Sequence, residues 1–235
     1  MRTDPIREGV AVPRGGSAAR VMWALLWLAL AAFAAEFVRH VYLKYAALDS
    51  PAYAMFLTRR GWLWCHLGGG AVGIVLGTLQ FATQRWRRQA WVHRWVGRAY
   101  FAGMLVAMLG ATALIATSPA PMPIRVAFAA TEAAWLAVAS IGLVAILRGQ
   151  IEMHRRWMVQ AYLVTLAPVV FRIALYGAVG AGMAPSPNTI AALLWGSWAV
   201  PLLAYALGRW LADAAKRGAR MAAAPTGTGV GLDAG

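Results

Sequence analysis

The stretch WVHRWVGRAYFAGMLVAMLGATALIA, residues 91–116, carries Arg94 and Arg98 near its start, and then no charged residue appears until Arg125. A helix needs about 20 apolar residues to cross the hydrocarbon layer, and residues 96–116 meet that requirement. Similar blocks lie on both sides of it, at 21–38, 62–82, 126–147, 157–179 and 190–210. Trp23, Trp62, Trp64, Trp91, Trp95, Trp157 and Trp210 stand near the block ends, where amphipathic rings settle at headgroup level.

Composition agrees. Of the 235 residues 61% are apolar and 13% charged, against roughly a quarter charged in soluble domains. The mean hydropathy is +0.59. The expected fold class is therefore all-α, a polytopic membrane bundle of six transmembrane helices with a four-helix core. Residues 1–20 are expected as a cytoplasmic N-terminal tail, 21–210 as the membrane domain, and 211–235 as a partly disordered cytoplasmic tail. Ala32-Phe33-Ala34 also resembles a leader cleavage site, and cleavage there would leave five spans. Pro168 and Pro201 are expected to kink the last two spans, since each removes a backbone donor.

The net charge is +14. On a soluble chain that would suggest nucleic acid, but here the cations follow the connections between spans. The two tails and the two turns on their side hold sixteen of the 22 Lys and Arg. The opposite side holds five, and Arg172 lies within a span. The excess places both termini in the cytoplasm, in the bacterial inner membrane, with the lipid bilayer as partner and no nucleic acid. No oligomeric state follows from the sequence.

Cys65 is the single cysteine, which excludes a disulfide framework and a multi-cysteine metal centre. No P-loop, dinucleotide glycine fingerprint, nucleophile elbow or HExxH occurs. What recurs is a His-Arg pair at the start of each returning helix, His93-Arg94 and His154-Arg155, with Tyr100 and Tyr162 about two turns further on. If the two hairpins repeat one another, both histidines come together at the cytoplasmic end of the core. Gly69, Gly73 and Gly77 recur every four residues. That small-residue face suits close helix packing or leaves room for a flat cofactor.

The segments Cys65-His66-Leu67-Gly68, Leu79-Gln80-Phe81, Val92 to Tyr100 and Met153 to Met158, with Arg172, resemble the prokaryotic family of predicted membrane proteins filed as domain of unknown function 2306. The resemblance covers roughly residues 62–176. It implies a multi-span membrane protein and brings no established activity.

Chemistry must come from the residues. Two imidazoles from facing helices can hold one haem b. His93 and His154 are the candidate axial ligands to the haem iron. Arg94, Arg98 and Arg155 are candidate propionate partners, and Gln80 and Tyr100 candidate neighbours of the ring. This pattern looks similar to four-helix transmembrane cytochromes b, except that the fourth span lacks a histidine, which leaves one haem. The expected function is membrane electron transfer, with a quinone or another redox protein as partner. A plainer reading has the His-Arg pairs anchoring helix starts or binding lipid phosphate.

A second constellation lies in the outer half. Glu132 and Arg172 sit about 10 Å deep by helical rise, and ionisable groups there need partners. An ion pair or shared polar groove is expected, with His66 beside it, and it supports the rival reading of a proton-coupled transporter. A third reading is a non-catalytic lipid-binding scaffold. Glu36, His40, His66 and Glu132 could form a metal site of mixed ligands. His154, Thr165 and Arg172 share one face by helical spacing, which would link the two polar regions.

Overall fold

Within a bilayer each backbone donor must be satisfied inside its own segment or in a closed barrel. The chain takes the first solution. The computed structural model describes residues 51–83 and 90–222, together with 21, 25, 32, 36, 39–43 and 45, and among these there is no strand. The chain divides into two units, Met1–Ala54 and Met55–Gly235. In the first, the carboxylate of Glu36 is held by Arg39 at 2.6 and 2.8 Å. The second contains the bundle.

A 3-10 segment, Pro51–Arg59, leads into α1, Arg60–Thr83. Then follow α2 (Ala90–Ala116), α3 (Met122–Leu147), α4 (Ile151–Thr165), α5 (Ala167–Gly180) and α6 (Pro187–Ala222). Four helical stretches are long and apolar enough to cross a membrane: Ala54–Phe81, Trp91–Ala116, Met122–Leu147 and Pro187–Ala219. A fifth exists if α4 and α5, bent by 44° at their junction, form one broken span. Of the six spans expected from sequence, the first lies outside the described residues except at isolated helical positions. The same holds for the cleavage motif and for residues 223–235. Helix α6 continues to Ala222, beyond the apolar block that ends at 210.

The two prolines behave differently. Pro168 stands in the first turn of α5, where its missing donor costs nothing to its own helix, and the break falls just before it. Pro201 lies inside α6 without ending it. The turns are closed by glycine. After α3, Gly149 takes φ +72°, its N–H donates to Ile146 O, and Gln150 N–H donates to Ala145 O. After α5, Gly182 at φ +83° does the same with Val179 O, and Met183 with Ala178 O. Both are Schellman closures. Arginines close the end of α2. Arg59 donates to Thr117 O at 3.2 Å, and Arg125 to Ile115 O and Ala116 O at 3.1 and 3.3 Å. They satisfy carbonyls that a helix end leaves open.

Helices α1 to α4 form a ring in which α1 packs on α2 and α4, and α3 packs on α2 and α4. Helix α6 lies outside it against α3, α4 and α5. The tightest pair is α1 with α2. A Cβ added at Gly69 would collide with Gly103 O and lie 2.5 Å from Ala107 N. One at Gly110 would lie 2.6 Å from both His66 N and Trp62 O. The two backbones touch there, so the glycine face serves packing. Further in, Met104, Met108, Val138, Ala139, Ala161 and Val164 build the buried core. Leu105, Leu109, Leu203 and Leu207 point outward and are more than half exposed, as lipid-facing side chains must be.

Gly69→Leu is expected to cost about 3 kcal/mol or more through overpacking and to abolish a folded monodisperse species in detergent. A Cβ added at Gly70 meets nothing within 4 Å, so Gly70→Ala should leave the melting temperature nearly unchanged.

Candidate functional site

The first turns of α2 and α4 end at the same side of the ring, and there His93 lies within electrostatic reach of His154 and Arg155. The two histidines picked out by their flanking arginines therefore lie near one another, on different helices. His154 Nδ1 lies 2.8 Å from Gly142 O on α3. A carbonyl can only accept, so Nδ1 holds the proton and, in the neutral ring, Nε2 keeps its lone pair. Gln80 Nε2 donates to His93 O at 2.7 Å, and its amide fills the space beside Gly97. Gln80 thus ties α1 to the first turn of α2.

The arginines of this end are exposed. Arg98 stacks on Trp95 at 4.9 Å, and Arg155 meets Glu152 at 3.2 Å. Such exposed pairs add little stability.

One layer deeper the core is polar and closed. Thr78 Oγ1 and the Tyr162 hydroxyl share a hydrogen bond of 2.5 Å, and Ile74 O accepts within reach of both, at 2.9 and 3.4 Å. Thr165 Oγ1 donates to Ala161 O at 2.9 Å and accepts from Tyr100 at 3.1 Å. Trp135 Nε1 donates to the Tyr100 oxygen at 3.4 Å. Each tyrosine of the sequence repeat thus crosses to a threonine of the other hairpin. Tyr100 is 1% exposed. The glycines make the room: Gly77 lies against the Tyr162 and Tyr100 rings, and Gly73 against Thr165 and Trp135. The space along Gly69, Gly73 and Gly77 is therefore filled by this chain's own backbone and side chains, and the expectation of a flat cofactor beside them is corrected.

At the other end His66 Nδ1 donates to Ala107 O at 3.1 Å. Glu132 accepts from Thr112 Oγ1 at 2.6 Å. Arg172 lies past the break, on α5, which packs against α6. The 44° bend also interrupts the proposed His154–Thr165–Arg172 face, because helical spacing holds only along one continuous helix. Among the described residues no three His, Cys, Asp or Glu side chains gather to hold a metal ion. Of the expected mixed site, Glu36 and His40 belong to the first unit, and His66 and Glu132 to the second. Thr78, Thr112 and Trp135 went unnoticed in the sequence. Only Trp135, three residues from Glu132 on α3, stood at a spacing that could have pointed to it.

A family model described as "Predicted membrane protein (DUF2306)" matches residues 63–207. This is a multi-span helical membrane protein, and the chain belongs to that family. No curated protein and no solved structure matches it. The matched region contains both His-Arg pairs and both Tyr–Thr pairs.

The hydrogen-bond directions give an asymmetric expectation. Tyr100→Phe removes two bonds, the donation to Thr165 and the longer one accepted from Trp135, and should cost about 1–2 kcal/mol. Thr165→Val leaves the buried Tyr100 hydroxyl without that acceptor and should cost about 1–3 kcal/mol. In a Thr165→Val background the further change Tyr100→Phe should then cost less than it does alone, read by thermal unfolding in detergent.

Proposed function

We propose that this chain is a b-type haem electron-transfer protein of the bacterial inner membrane, with six spans and both termini cytoplasmic. The observation that carries the reading is the nearness of His93 and His154, from α2 and α4, at one end of the four-helix ring. Two imidazoles on separate helices are the donor set that haem iron takes. The Gly142 carbonyl fits this role, because a ligating histidine commonly donates its other ring N–H to a carbonyl or carboxylate. Bound there, haem would supply one-electron transfer.

The chain's own residues have separable tasks. His93 and His154 would bind the iron, and Gly142 O orients the His154 ring. Gln80 holds the backbone at His93. Arg94, Arg98 and Arg155, on the same end, offer cations to propionates. The tyrosine layer closes the core behind the site and keeps water from passing inward. A quinone or a redox protein would be the partner.

The Tyr–Thr pairs favour this reading over proton-coupled transport. Both chains of hydrogen bonds end on backbone carbonyls, Ile74 O and Ala161 O, and a carbonyl has no proton to pass on.

The test is a reduced-minus-oxidised absorption spectrum of the chain purified in mild detergent after expression with ample haem. One haem per chain is expected, absent from His93→Ala and from His154→Ala while both variants still insert. A colourless wild-type protein would overturn the reading.

A further inference from the structure

A cavity of about 330 Å³ opens on the outside of the α3–α4 turn, away from the tyrosine layer. Ile141, Val144 and Ala145 of α3 and Met153 of α4 form its apolar wall, and Arg148 and Gln150 form its polar end. Ile141, Val144 and Met153 are 39%, 42% and 45% exposed, so the wall is open to lipid. From Arg148 back to Ser140, the far lining residue, the groove runs about 12 Å along the helix.

The polar end is built by the turn itself. Arg148 is the C-cap of α3, and Gly149, at φ +72°, reverses the chain so that Gln150 and Met153 return against the same wall. Arg155 and Arg209 face Glu152 and Asp213, whereas among the described residues no carboxylate pairs with Arg148. Arg156 adds a further cation one turn into α4. The groove thus combines an acyl-sized apolar slot with a guanidinium at its mouth. An acyl chain fits the slot, and a headgroup phosphate fits the guanidinium. A zwitterionic lipid fills the slot equally well but gains less from the surrounding cations.

We propose that this groove is a binding site for one anionic phospholipid, its phosphate on Arg148 and one acyl chain along Ile141, Val144 and Met153. The site is separate from the histidine pair and does not depend on it.

Native mass spectrometry of the full chain tests this, after incubation in detergent with phosphatidylglycerol or phosphatidylcholine of the same acyl chains. One phosphatidylglycerol should be retained at about fivefold the occupancy of phosphatidylcholine, the gain expected for a single added cation at a membrane surface. Arg148→Gln should bring the two lipids level. Val144→Trp, which fills the slot and leaves the charge, should lower both. Arg156→Gln, outside the lining, should keep most of the preference, and it shows that loss of any one cation is not enough. An unchanged preference in folded Arg148→Gln overturns the proposal. So does displacement of the lipid by equimolar inorganic phosphate, which would make the site one for free anions.

Discussion

Helices α1 and α2 touch backbone to backbone, and the rest of the bundle depends on that contact. Gly69 lies on Gly103 and Ala107, and Gly110 lies on Trp62 and His66. Lipid tails are as apolar as leucine, so burying apolar surface does little to join helices in a membrane. Close packing and hydrogen bonds must do it. The α1–α2 contact supplies the first and sets how far α4 can approach. Gly73 and Gly77 on the same face of α1 leave room for Thr165 and the Tyr162 ring.

That approach permits the second attraction. Two tyrosines cross between hairpins to two threonines, and both threonines are already oriented by carbonyls of their own helices. These hydrogen bonds fix the register of one hairpin against the other. With the register fixed, the first turns of α2 and α4 fall at one end, and His93 lies near His154. The histidine pair is thus a consequence of packing several turns away.

Much of this was legible in sequence. Hydropathy marked each described span, and the glycine spacing on α1 marked the contact face. The repeated His-Arg and tyrosine positions indicated which helix starts would meet. Other features were not legible. Gly103 and Gly110 are scattered small residues in an apolar run until their partner helix is known. The link from Tyr100 to Thr165 spans 65 positions and follows no local period. The break before Pro168 undid a face read from helical spacing, because a proline announces a bend without giving its angle.

The account's central claim is that the two His-Arg motifs lie near one another across the hairpins. Cysteines in place of His93 and His154, in a Cys65→Ser background, test it directly when treated with a short bifunctional thiol reagent in native membranes. An intrachain cross-link in the double variant, absent from each single variant, is the expected result. Labelling of both thiols with no intrachain cross-link would contradict the account.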